Sequence, residues 1–269
     1  MFDWHIYLSG LAVMAIFAAA GWLVSVARRN VTLVDSMWSL FFLLAAIAYA
    51  YAGNSLANPF DNPRAALMLV LVGVWAIRLA GYLSWRNQLF SKNTHEDHRY
   101  QAIRKNNEPH FWLKSLYIVF GLQLLLAWVV SLPLLGGINS TAPLQALDVA
   151  GALLWLFGFA WESAGDWQLA KFKARPSNKG KVMDKGLWAY SRHPNYFGEF
   201  CLWWGYFLIA LSAGAWWSIA SPLLMTLLLL KVSGVSLLEK DIGERRPGYA
   251  AYIKCTNAFF PWKRSWWRQ

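Results

Sequence analysis

Residues 191–215 read SRHPNYFGEFCLWWGYFLIALSAGA. The first nine include an arginine, a histidine, an asparagine, a tyrosine and a glutamate, and thirteen of the next sixteen are apolar or aromatic. The stretch reads as a membrane span whose opening turns are crowded with hydrogen-bonding groups. Such groups are costly in hydrocarbon unless they turn toward a partner, so they predict a polar face looking into a helix bundle.

The rest of the chain agrees. Its 269 residues are 57% hydrophobic and only 14% charged, well below the charged fraction of about 25% in soluble domains. A crossing helix needs about 20 mostly apolar residues. Seven runs qualify, roughly 7–27, 34–52, 64–83, 111–134, 146–168, 197–213 and 215–237, with Pro133 placed to kink or end the fourth. The expected fold class is all-α: a polytopic membrane protein built as one seven-transmembrane helix bundle over residues 1–269. No repeat relates the two halves, which argues against a transporter of the inverted-repeat type.

Charge orients the bundle. The net charge is +11, and Lys and Arg crowd Arg28–Arg29, the loops 84–110 and 169–196 and the tail 238–269. That places 21 basic residues on one side, while the opposite loops hold only Arg64. Basic residues are retained in the cytoplasm, so the N-terminus is expected outside and the C-terminus cytoplasmic, as in an integral protein of the bacterial inner membrane. The opening MFDWHIYLSG lacks a basic n-region, which suits an uncleaved first span. No basic stripe with interleaved aromatics suggests a nucleic-acid partner.

Several chemistries are excluded. Cys201 and Cys255 offer neither a disulfide framework nor a metal pattern. HEDH at 95–98 is the one close histidine pair, too few for the iron of membrane hydroxylases, and is expected to be a solvated loop. The nucleophile-elbow, Rossmann and P-loop patterns do not occur.

Asp35, Arg78, Glu162, Asp166, Glu199 and Glu239 all fall in the cytoplasmic half of five different spans. Glu162 and Asp166, Asn195 and Glu199, and Arg78 and Tyr82 are each four apart and share a helix face. Against simple ion pairing at the interface, the set predicts a polar pocket open to the cytosol. The segment from Lys171 to Glu199 adds seven basic residues, suited to a phosphate-rich ligand.

GLWAYSRHPNYFGEFCLWWGYFL at 186–208, with SGVSLLEKDIGERRPGYAAYIKCTNAFFPW at 233–262, TLVDSMWSL at 32–40, WAIRLAGYLSWRN at 75–87 and EDHRYQAIRK at 96–105, resembles bacterial membrane proteins related to steroid 5-alpha-reductase. The resemblance implies NADPH-dependent reduction of a carbon–carbon double bond conjugated to a carbonyl, in a steroid-like or other lipid. It implies cofactor contacts by Asn195, Glu199 and Asp166, with Glu162 and Tyr196 on the same wall. Lys173, Arg175, Arg192, His193, Arg246 and Tyr249 are phosphate or ribose partners by position and charge. On the substrate side Asp35 takes the place of the family's glutamate, while Trp75 stands where its tyrosine would be. Asp35, Arg78 and Tyr82 are therefore the candidate catalytic residues. Membrane methyltransferases of the isoprenylcysteine and phospholipid type share RHP-x-Y-x-G and use S-adenosylmethionine, and a lipid-binding protein without activity is a third reading. Oligomeric state leaves no mark in the sequence.

Overall fold

A computed structural model of the chain describes residues 2–55, 62–89, 95–232, 235, 239 and 248–262. Every regular element among them is helical, with no strand. Five helices are long and apolar enough to cross a membrane: α1 (Trp4–Arg28), α2 (Leu33–Ala52), α3 (Pro63–Arg86), α5 (Phe111–Val130) and α7 (Ala146–Lys173). Between them lie the polar α4 (His98–Asn107) and the short α6 (Leu132–Ile138). The sixth and seventh apolar runs form α8 (Pro194–Ser212) and the shorter α9 (Trp216–Val232), and α10 (Tyr249–Cys255) follows. The first turns of α8 carry Asn195 and Glu199 ahead of its apolar run.

The chain divides into two compact units: Met1–Gln145 with Ala210–Ser218, and Ala146–Ile209 with Ile219–Gln269. In the first, local chemistry fixes the helix starts. Asp3 caps α1 by accepting from the His5 and Ile6 amides, and Asn62 caps α3 through the Ala65 amide, with Pro63 in its first turn. The break between α5 and α6 falls at Ser131, and Pro133 sits in the first turn of α6, where its missing N–H costs no helical bond. The core is knit by buried polar pairs as well as apolar contact. The Tyr7 ring stacks on Trp128 at 4.2 Å, and Tyr49 shares a 2.7 Å hydrogen bond with Ser131.

In the second unit, α7 and α8 run at backbone contact. Gly151, Gly158 and Gly165 on α7 are seven apart, as are Gly198 and Gly205 on α8. A Cβ added to Gly158 would lie 2.5 Å from the Gly198 carbonyl oxygen, and one on Gly151 would lie 2.7 Å from that of Gly205. Small residues at this spacing allow the close approach that side-chain-bearing positions forbid.

Candidate functional site in the second unit

The glycine register brings the polar turns of α7 and α8 together. Asn195 Nδ2 donates to Asp166 Oδ1 at 3.2 Å. Asp166 is 4% exposed and Glu162, one turn deeper, is 3% exposed. Glu199 lies one turn beyond Asn195, and the Tyr196 ring stacks on that of His193 at 5.6 Å. Glu162, Asp166 and Lys173 fall within about 40° of one another around α7, so one stripe joins the buried carboxylates to the end of the helix.

That end opens into a groove of about 300 Å³ lined by Phe172, Lys173, Arg175, Pro176, Asn178, Lys179 and Gly180. Its three charged side chains are all basic. Asn178 Nδ2 donates to the Phe172 carbonyl at 2.9 Å and holds the turn that carries Arg175 and Lys179. The groove lies about 10 Å along α7 from Asp166, by the rise of seven helical residues.

The arginine and histidine of the RHP motif, expected among the phosphate partners, both engage Glu239. Both are buried. Arg192 donates through Nε and Nη2 to the two carboxylate oxygens of Glu239, each at 2.8 Å, and through Nη1 to the Thr256 carbonyl at 2.6 Å. His193 Nε2 shares Glu239 Oε1 at 2.9 Å, and Tyr249 Oη reaches the same oxygen at 3.4 Å. Burial pushes the Glu239 carboxyl up, but hydrogen bonds from His193 and Arg192 and their charge outweigh it and bring the group down to about 2. Burial, then the charge of Glu239, pushes the Tyr249 phenol up to about 12. The cluster ties the approach to α8 onto α10. The Ser191 hydroxyl donating to the Phe259 carbonyl at 2.8 Å and the Arg192 amide donating to the Asn257 carbonyl at 2.9 Å extend the tie. Arg246, expected beside Tyr249, lies outside the described residues.

Asp35, Arg78 and Tyr82 belong to the first unit. The Arg78 guanidinium lies over the Tyr82 ring at 5.6 Å. Asp35 accepts from Arg99 Nη2 at 2.7 Å and from the Tyr100 hydroxyl at 2.6 Å, and Gln123 Nε2 donates to that hydroxyl at 3.2 Å. Burial, then the charge of Asp35, pushes the Tyr100 phenol well up.

HEDH is less solvated than expected. Its histidines are exposed, but Glu96 accepts from the Val31 amide and from Nε and Nη2 of Arg104, while Asp97 caps α4 through the Arg99 amide. Among the described residues no cluster of three His, Cys, Asp or Glu is placed to hold a metal.

Tyr100, Gln123 and the role of Glu239 escaped the sequence because Asp35 lies far from Tyr100 along the chain, as do Tyr100 from Gln123 and Arg192 from Glu239. The acidic and basic alternation of EDHRYQAIR was the one local signal for the first network.

A family model described as a protein of unknown function (DUF1295) matches residues 21–256, and the chain belongs to that family. It is 26% identical over 283 residues to an uncharacterized protein of Schizosaccharomyces pombe, covering 95% of this chain and 79% of that relative. No solved structure matches it.

Proposed function

We propose that the protein is a seven-span membrane reductase, N-terminus outside and C-terminus cytoplasmic. It uses NADPH to reduce a carbon–carbon double bond conjugated to a carbonyl in a steroid-like or other lipid. The observation that carries this reading is the 3.2 Å contact between Asn195 and Asp166, one helical turn from the buried Glu162 and two turns from a basic groove on the same helix.

The donor set fits a phosphorylated dinucleotide. Buried carboxylate oxygens accept from carboxamide and ribose hydroxyl groups, and three cations meet phosphate charge. Asn195, Asp166 and Glu199 hold the polar part of the cofactor, while Lys173 and Arg175 hold its phosphates. Arg192 and His193, engaged by Glu239, position the loop rather than touch the ligand. A bound nicotinamide supplies the hydride for the β carbon, and the α carbon takes a proton. Asp35 accepts at both oxygens, an arrangement suited to locking residues 95–107 in place rather than to donating toward a carbonyl.

The test is thermal unfolding of the purified protein in detergent, with NADPH and S-adenosylmethionine titrated side by side. A ligand at 100 times its Kd stabilises by about 2.7 kcal/mol. NADPH should raise the melting temperature, and Asn195→Ala or Glu199→Ala should weaken that shift at least tenfold in concentration. A shift with S-adenosylmethionine and none with NADPH makes the protein a methyltransferase. No shift with either makes it a lipid-binding protein without this chemistry.

A further inference from the structure

Residues 256–262, which follow α10, form a strap that runs back across the RHP approach and is held there through its backbone. The Arg192 amide donates to the Asn257 carbonyl at 2.9 Å, the Trp262 amide donates to the Tyr190 carbonyl at 3.0 Å, and the Ser191 hydroxyl donates to the Phe259 carbonyl at 2.8 Å. The aromatic side chains divide into two sets. Phe259 is buried on Phe197 and Phe200 in the first turns of α8, with ring centroids 6.0 and 5.7 Å away. Phe260 is 57% exposed, Trp262 73%, and Tyr190, bonded to Trp262, 48%. Three large rings turned outward from one short segment make a patch that water does not favour. Lys254 is the one charged residue between Tyr249 and Trp262, and no acid occurs there.

The depth of the strap follows from α7. A Cβ on Gly165 would lie 3.2 Å from the Asn195 amide nitrogen, so α8 starts level with Gly165. Gly165 stands about 28 Å along the helix from Ala146, where α7 begins, by a rise of about 1.5 Å per residue. The hydrocarbon core of a bilayer is about 30 Å thick. α8 thus starts at the edge of the hydrocarbon, and α7 runs on about 12 Å past that level to Lys173. Phe260 lies 6.1 Å from Phe197 and 5.8 Å from Phe200, which sets the strap at the same edge. Tryptophan and tyrosine gather at this depth, because the ring meets acyl chains while its polar atom meets headgroups.

We propose that Tyr190, Phe260 and Trp262 form a membrane-docking patch that seats the strap in the headgroup–acyl boundary of the cytosolic leaflet. The inference rests on the seven-span topology proposed above, with α8 entering from the cytosol. It adds a lipid contact to the segment that holds Arg192. Lipid covers the outer side of the strap, while Phe259 and the backbone bonds hold its inner side. The RHP approach is then fixed to the membrane surface as well as to Glu239.

The test uses the full chain in phosphatidylcholine nanodiscs. Cys201→Ala and Cys255→Ser remove the native thiols, and Phe260→Cys, Trp262→Cys and Ser177→Cys each carry a nitrobenzoxadiazole fluorophore. Ser177 is exposed in the turn past the end of α7 and is the water-facing control. None of the three side chains makes the bonds that hold the strap. A phospholipid with a nitroxide on its upper acyl chain should quench the 260 and 262 probes and spare the 177 probe, and the first two should emit to the blue of the third. Emission and quenching at 260 and 262 equal to those at 177 overturn the patch. Blue-shifted emission without quenching by the nitroxide overturns it too, since another protein surface then covers the rings. Topology is read separately, with a membrane-impermeant maleimide on spheroplasts producing the unlabelled Ser177→Cys protein, which should react only after permeabilisation. Quenched 260 and 262 probes with Ser177→Cys reactive from outside overturn the orientation alone. Unquenched probes with Ser177→Cys protected overturn the patch alone.

Discussion

The Arg192 guanidinium grips Glu239 with two parallel hydrogen bonds of 2.8 Å, forty-seven residues away along the chain. Arginine is suited to this because its fork matches a carboxylate and its remaining nitrogen still reaches the carbonyl of Thr256. The motif that ends at α8 is thereby bolted to the segment that follows α9.

The pair gives a pH signature. The Glu239 carboxyl sits at about 2 in the folded protein against an ordinary 4.5. A lowered folded value means that the stabilisation is complete above pH 4.5 and is lost as pH falls toward 2. Melting temperature measured from pH 6 to pH 3 should therefore fall more steeply for the wild type than for Glu239→Gln, which should be less stable at pH 6.

The helix contact gives a packing signature. Gly158→Ala places a methyl group 2.5 Å from the Gly198 carbonyl oxygen and 2.7 Å from the Leu202 amide nitrogen. Backbone cannot rotate aside as a side chain can, so the helices must part. The cost should be about 1–3 kcal/mol, read by chemical or thermal unfolding, and the NADPH response should weaken with it. Gly81→Ala, which meets nothing within 4 Å, is the control and should change little.

The basic groove gives a selectivity signature. Lys173→Ala with Arg175→Ala should weaken NADPH binding and leave NADH binding less affected, because the extra phosphate is what the cations meet. Binding curves at low and high salt should converge for the double variant, since exposed charge is screened over about 8–10 Å at physiological ionic strength.

Asp35 gives a contrast. Asp35→Ala removes the acceptor of both Arg99 and the buried Tyr100 hydroxyl. It should cost about 1–3 kcal/mol of stability and expose the 95–107 segment to protease while leaving the NADPH shift intact. A lost NADPH shift with unchanged stability would reverse that assignment.

Much of this architecture was legible in advance, and the reasons differ by region. Apolar runs of about 20 residues announced the helices because hydrocarbon demands length and tolerates little else. Spacing by four put Glu162 and Asp166 on one face because it acts within one helix. The Asn195–Asp166 contact was within reach because the polar turns flank one loop. The fate of Arg192 was hidden, since a cation in a basic loop looks alike whether it meets phosphate or Glu239. The helix–helix register was also unread, although Gly151, Gly158, Gly165, Gly198 and Gly205 were plain in the sequence. Glycines seven apart carry no chemistry until two backbones meet.

That register makes the α7–α8 pair behave like a key in a lock. A residue inserted in the 179–185 stretch of the connection leaves every notch aligned. A residue inserted between Gly151 and Gly158 rotates half of α7 by about 100° and sets side chains against the Gly205 carbonyl. Tolerance to insertion along this hairpin is therefore a map of where the two backbones touch.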